Sequence, residues 1–224
     1  MKLLVIFFGF ASTALAASRT SAPKGCLVVS KSPSSGQYKS IQAAVSALST
    51  TSSDSQCIFI DQGTYNEQVL VGARNAQFSI YGYTSDTSSY SGNKATITNN
   101  LSQASTGKGN DEIATLRIKA DGVKLYNVNV ANSYGKGSQA VALSAYSDSG
   151  FYGCQFTGFQ DTVLSNTGRQ LFAQCMILGA TDFIFGQQAQ SWFEQCDIRV
   201  VSASSGYVTG MPSLNPLAMV RPWG

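Results

Sequence analysis

Histidine is missing altogether from these 224 residues. Its absence removes Ser-His-Asp and Cys-His hydrolysis and the usual His-bearing zinc centres. Acid-base chemistry near neutral pH must then fall to carboxylates with displaced pKa values, or to a bound metal. Charge of either sign is scarce: Asp, Glu, Lys and Arg make up 12% of the chain, only 12 residues are acidic, and Ser, Thr, Asn, Gln and Gly take their place on the surface. The formal net charge is +3. So small an excess does not argue for nucleic acid and merely allows an acidic polymer as partner. Long apolar runs are missing beyond the first residues, so no membrane-spanning helix and no membrane partner are expected.

The start of the chain is the exception. Residues 1–17 (MKLLVIFFGFASTALAA) carry one basic residue, an apolar run from Leu3 to Phe10, and Ala14-Leu15-Ala16 as a small-residue cleavage site. This is the pattern of a secretory signal peptide. Its removal takes Lys2 and no acid, leaving a secreted, extracellular chain from 18 to 224 that reads as a single domain and a monomer. Five cysteines in an exported protein are an odd number, so at least one stays unpaired within the chain. Cys26 and Cys57 are candidates for a bridge near the amino end.

What the sequence does hold is a repeat. Phe151, Phe172 and Phe193 fall in one column, Cys154, Cys175 and Cys196 in a second, and Phe156, Ile177 and Ile198 in a third, each at a step of 21 residues. A period of that size points to stacked units. In coils of a parallel β-helix, equivalent residues on neighbouring coils sit about 4.8 Å apart. The cysteine column then reads as a row of buried thiols, or as neighbours close enough to bridge. A looser echo lays Leu125–Val130 on Phe151–Phe156 at a step of 26, with the extra residues in a loop around Asn132–Gly137. From Gln139 onward the step of 21 resumes, placing Gln139 beneath Gln160, Ala140 beneath Asp161, Asp161 beneath Asp182, and Ala203 above Asp182.

Helix is nearly absent. Tyr38–Ser49 sets Ile41, Ala44, Val45 and Leu48 at helical spacing and reads as a short cap on the first coil. Everything after Cys57 reads as short strands: Cys57–Ile60, Gln68–Val71, Phe78–Tyr83, Ala95–Thr98, Thr115–Lys119, Val123–Val130, Ala140–Ser144, Phe151–Phe156, Thr162–Leu164, Leu171–Ile177, Phe183–Phe185 and Ser191–Val201. Asn100-Leu101-Ser102 is a glycosylation sequon in a polar loop.

The repeat gives Asp161 and Asp182 a chemical reading. Two carboxylates a few ångströms apart cannot both ionise cheaply, so one pKa rises and the pair can supply an acid beside a nucleophile or base. The plainer alternative is that each aspartate only caps its own turn. Two acids with no third nearby make a poor calcium cage, so no metal and no other cofactor are expected. Gln139 and Gln160 could donate to an oxyanion, or form an ordinary ladder between coils. Adjacent strand residues face opposite ways, so Gln160 and Asp161 can share a site only if the chain bends there.

Four motifs, in order, carry a family resemblance: G-T-Y-N-E (Gly63–Glu67), Q-A-V-A-L (Gln139–Leu143), G-F-Q-D-T (Gly158–Thr162) and D-F-I-F-G (Asp182–Gly186). The chain resembles pectin methylesterases, above all secreted fungal ones. The resemblance implies an all-β, right-handed parallel β-helix acting on pectin, the methyl-esterified polygalacturonate. It implies Asp182 as nucleophile, Asp161 as acid and then base, and Gln139 and Gln160 around the oxyanion. Phe159 and Phe183 could offer faces to sugar rings, or pack in the core. The family also has L-G-R-P-W beyond D-F-I-F-G, with an Arg holding the nucleophile and a Trp lining the cleft. Here the chain closes Val220-Arg221-Pro222-Trp223-Gly224, and residues 210–224 do not otherwise resemble the family. The expectation is a β-helix cut short at its carboxyl end, with Arg221 and Trp223 as the candidates for those two roles. Competing expectations are an inactive pectin-binding remnant, or a β-helix glycoside hydrolase or lyase on the same polymer.

Overall fold

A computed structural model describes residues 17–203 and 206–210. The strands form three sheets, and every pairing between named strands is parallel. The first sheet stacks β1 (Leu27–Val29), β2 (Gln56–Ile60), β5 (Phe78–Gly82), β8 (Val123–Tyr126), β11 (Ser149–Tyr152), β14 (Arg169–Ala173) and β17 (Gln190–Glu194). The second stacks β3 (Gly63–Asn66), β6 (Ala95–Asn99), β9 (Asn129–Asn132), β12 (Gln155–Thr157), β15 (Met176–Gly179) and β18 (Asp197–Val200). The third stacks β4 (Val69–Val71), β7 (Leu116–Ile118), β10 (Leu143–Ala145), β13 (Val163–Ser165), β16 (Thr181–Phe185) and β19 (Tyr207–Gly210). From β2 on, each consecutive triplet puts one strand in each sheet. That is one coil of a parallel β-helix.

The repeat is the coil. Phe151 pairs with Phe172 and Phe172 with Phe193, while Phe156 pairs with Ile177 and Ile177 with Ile198. The step of 26 also holds, with Leu125 on Phe151 and Val130 on Phe156. Inside, the rings of Phe151, Phe172 and Phe193 stack at centroid distances of 4.6 and 4.8 Å, and Phe156 meets the first two edge-on. Such pairs add about 0.5–1.5 kcal/mol each beyond their burial.

The long predicted strands are each two. Val123–Val130, Phe151–Phe156, Leu171–Ile177 and Ser191–Val201 break at Asn127, Gly153, Gln174 and Gln195, with φ of 54°, 57°, 53° and 49°. A left-handed residue turns the chain from the first sheet into the second, and the apolar pattern continues past it because both strands face the same core. Two register expectations need correction. Ala140 N–H donates to Gln160 O, which keeps Ala140 beneath Asp161, but Leu143 pairs with Val163, a step of 20. Ala142 and Leu143 N–H both reach Thr162 O, so the lower coil bulges by one residue. Ala203 does not lie above Asp182: Val201 N–H still bonds Gly179 O, and Tyr207 is the residue that pairs with Thr181.

The helix α1 (Ile41–Ala47) is shorter than the pattern suggested, because Ser40 caps it and Leu48 is already extended. It buries Ile41, Ala44 and Val45 and packs on β1, β2 and β4, closing the first coil. Glu67, from the G-T-Y-N-E motif, accepts from the N–H of Ile41 and Gln42 at 2.8 and 3.0 Å and from Ser40 Oγ at 2.8 Å. That gives the motif a structural job. Cys26 and Cys57 are bridged, and the other three cysteines are free thiols. A second helix that sequence reading missed, α2 (Gln103–Thr106), follows the sequon; Asn100 is exposed, while Ser102 is fully buried as the helix cap.

Candidate active site

Two copies of one turn build the site. Gly158 to Thr162 leads from β12 into β13, and Gly179 to Phe183 leads from β15 into β16. A side chain on Gly158 would lie 2.7 Å from Thr162 Oγ1, and one on Gly179 would lie 2.2 Å from Phe183 Cβ. Glycine is needed because the residue four places on folds back over it. Asp161 and Asp182 each adopt a left-handed conformation, with φ of 62° and 47°. This is the bend that lets Gln160 and Asp161 leave strict alternation; Asp tolerates it better than most side chains. Gln160 bridges to Thr181 on one side and Val163 pairs with Ile184 on the other, so Asp161 lies one coil below Asp182.

The surroundings of the two carboxyls differ. Asp161 is 7% exposed. Burial, then the neighbouring charge of Asp182, pushes its pKa up to about 6, against a 3.2 Å hydrogen bond from Asn110 Nδ2. Asp182 is half-buried, and Gly210 of β19 lies against it so closely that a side chain there would come 2.7 Å from its Cβ. The half-buried Gln139 and Gln160 lie on neighbouring coils beside the pair.

A cleft of about 580 Å³ opens alongside, lined by Asn110, Asp111, Tyr146, Leu164, Phe185 and Gly210 among others. Tyr146, Leu164 and Phe185 form an apolar floor over Ile113, Ala114 and Val141. Asp111 anchors one wall, bound to Arg117 at 2.6 Å, Lys119 at 2.8 Å and Ser144 Oγ at 2.7 Å. Burial alone would raise the Asp111 carboxyl, but those three partners together hold it below its ordinary value. Lys119 Nζ also sits 3.3 Å from the Tyr146 ring centroid.

Of the aromatic candidates, Phe159 is half-buried beside the turn, with its carbonyl accepting from the N–H of Ala180 and Thr181. Phe183 is a correction. It is fully buried in the main core, so its ring has no face for a sugar; Phe185, two residues on, points into the cleft instead. Arg221 and Trp223 lie outside the described residues. Sequence reading missed Asn110, Asp111 and Tyr146, which come from loops between strands that no period reveals. Among the described residues no three His, Cys, Asp or Glu are grouped to hold a metal. What the arrangement offers is a carboxyl able to keep its proton near pH 6 next to a second carboxyl, with amides and a polar-walled cleft on an apolar floor beside them.

Residues 27–210 match the family model described as Pectinesterase. The Pectinesterase of Aspergillus niger is 52% identical over 198 residues, covering 88% of this chain and 59% of that relative. The chain thus spans about three fifths of the length of the curated relatives it matches. Among solved structures, the deglycosylated pectin methylesterase of Aspergillus niger superimposes with a TM-score of 0.81 at 43% identity, covering 90% of this chain and 65% of that one. The carrot pectin methylesterase gives 0.76 at 28% identity, covering 88% and 60%.

Proposed function

The chain belongs to the pectinesterase family, and from that premise we propose that it is a secreted enzyme hydrolysing methyl esters of polygalacturonate to pectate and methanol. The observation that carries the reading is the stacked, unequal pair of Asp161 and Asp182 beside the cleft. In this reading an Asp182 carboxylate oxygen attacks the ester carbonyl carbon, and the amides of Gln139 and Gln160 donate to the resulting oxyanion. As the tetrahedral intermediate collapses, the carbonyl re-forms and the C–OCH₃ bond breaks. Asp161 gives its proton to the departing methoxide, which leaves as methanol. Asp161, now ionised, takes a proton from water while the water oxygen attacks the acyl carbon; Asp182 leaves as a carboxylate and the galacturonate acid is released. A pKa near 6 suits a group that must both give and take a proton. The floor of Tyr146, Leu164 and Phe185 would accept the apolar face of a sugar and its methyl ester, with Phe159 at the margin. Arg221 would hold Asp182 and Trp223 would line the cleft, roles that rest on their place in R-P-W alone.

The test is to incubate the purified chain with methylated pectin and measure methanol, reducing ends and unsaturated product together. Methanol without the other two is the expected result. Chain cleavage without methanol would overturn the esterase reading, and binding with no product would mark a pectin-binding protein.

A further inference from the structure

Asp161 accepts a hydrogen bond from a side chain that does not belong to the repeat. Asn110 donates from Nδ2 to Asp161 Oδ2 at 3.2 Å, and its own Oδ1 accepts from Gln103 Nε2 at 2.8 Å. Since Gln103 supplies the donor on one side, the Nδ2 group is the one left facing the carboxyl. Gln103 is itself the first residue of α2, and its backbone N–H donates to Gln139 O at 3.1 Å. The loop is pinned at both ends. Ser102 caps α2 with a reciprocal bond to Ser105, and Ala104 N–H reaches Ser138 Oγ. Beyond Asn110, Asp111 is held by Arg117, Lys119 and Ser144, and Gln68 Nε2 binds Glu112 O at 2.6 Å. Asn110 is therefore presented to Asp161 by a braced arm.

A donor fixed on Oδ2 makes that oxygen the poorer place for a proton. The proton then belongs on Oδ1, the oxygen left for the substrate. When the proton has gone, the same bond steadies the carboxylate, and a neutral amide does so without adding a charge beside the nucleophile. We propose that Asn110, oriented by Gln103, is a positioning residue that directs the proton of Asp161 to Oδ1 and steadies its ionised form for the water step. This rests on the reading of Asp161 as acid and base.

The experiment follows the titration of the Asp161 carboxyl by ¹³C NMR in the full chain, assigned with Asp161→Asn, and compares it with Asn110→Ala and Gln103→Ala. The sign separates two roles. If Asn110 only fills space, alanine admits water, eases desolvation and lowers the midpoint. If Asn110 donates to the ionised form, its loss raises the midpoint, by on the order of one pH unit. Gln103→Ala should raise it less, since Asn110 remains but is no longer held. The basic limb of the methanol-release profile should move up with the midpoint, and kcat should fall about tenfold with KM little changed. An unchanged or lowered midpoint in Asn110→Ala overturns the proposal, and if that variant does not fold, an unchanged midpoint in Gln103→Ala does so. If no variant, nor the parent chain, releases methanol, the esterase reading fails while the titration still decides what Asn110 does.

Discussion

Asp161 and Asp182 leave the same turn, each three residues after a glycine and each in a left-handed conformation, yet they face different neighbours. Above Gly158 the chain folds back with Thr162, a small side chain, and the carboxyl of Asp161 is closed in by Asn110 from a distant loop. Above Gly179 it folds back with Phe183, a buried ring, and Asp182 has Gly210 of β19 lying close against it from the coil above. Stacking thus supplies spacing and shared direction, whereas the loop bearing Asn110 and the strand bearing Gly210 supply inequality. A catalytic pair needs both, since two identical carboxyls would have no reason to divide the work.

The largest effect should come from removing either member. Asp182→Ala and Asp161→Ala are each expected to lower methanol release by at least about a thousandfold. The division of labour then shows in a substrate whose leaving group needs no proton. With an aryl ester of oligogalacturonate, Asp161→Ala should still release a burst of phenol, while Asp182→Ala should release none. Equal bursts in the two variants would break the unequal assignment.

The two glycines come next. Alanine at 179 would drive into Phe183 Cβ at 2.2 Å, where neither the ring nor the strand can retreat, and a loss of about 3 kcal/mol is expected by urea unfolding. Alanine at 158 meets Thr162 Oγ1 at 2.7 Å, an atom that can rotate away, so roughly 1–2 kcal/mol is expected. Equal costs would mean that the turns are alike in packing as well as in backbone.

Much of this is legible in the sequence alone, and the limit is physical. A repeat writes itself into the sequence because each coil buries the same inward column, so Phe151, Phe172 and Phe193 reported the register directly. The same columns hid the corners: apolar residues continue through Asn127 and Gln174, and only the Asn at 127 and Gly at 153 hint at a left-handed turn. Phe183 stayed open between a sugar face and the core because the sequence does not show that the left-handed backbone at Asp182 breaks the alternation and turns the ring inward. The loop bearing Asn110 obeys no period; its position is set by a local bond from Gln103 and by Asp111–Ser144 and Gln68–Glu112 contacts that join residues far apart in the chain. Periodicity can reveal the part of a site that belongs to the scaffold, and only folded contacts reveal the part that makes its two halves differ.

A smaller effect concerns stability against pH. The folded-state pKa of Asp161 stands at about 6, above its ordinary value of 3.8, so the protonated form is the one that folding favours. Its contribution is fully present below about pH 4 and is lost as pH rises through about 6. Asp161→Asn keeps the shape and cannot ionise, so above pH 6 it should be more stable than the parent by up to ~3 kcal/mol, with the gap closing toward pH 4. Unfolding free energies measured at pH 4 and pH 7 check this. A gap that does not change with pH would mean that Asp161 ionises in the fold as freely as in water.

The smallest expected effect tests whether the inequality is local. Glu67 caps α1 in the first coil and accepts from two backbone N–H groups and Ser40 Oγ. Glu67→Gln leaves one accepting oxygen in place and removes the charge that favours a helix start, so a loss of about 1 kcal/mol is expected. If the site's asymmetry is set by the loops beside it, the Asp161 midpoint should not move in this variant. Should it move along with the stability, the stacked coils would be passing strain along the β-helix, and the contrast between the two turns would belong to the whole solenoid rather than to Asn110 and Gly210.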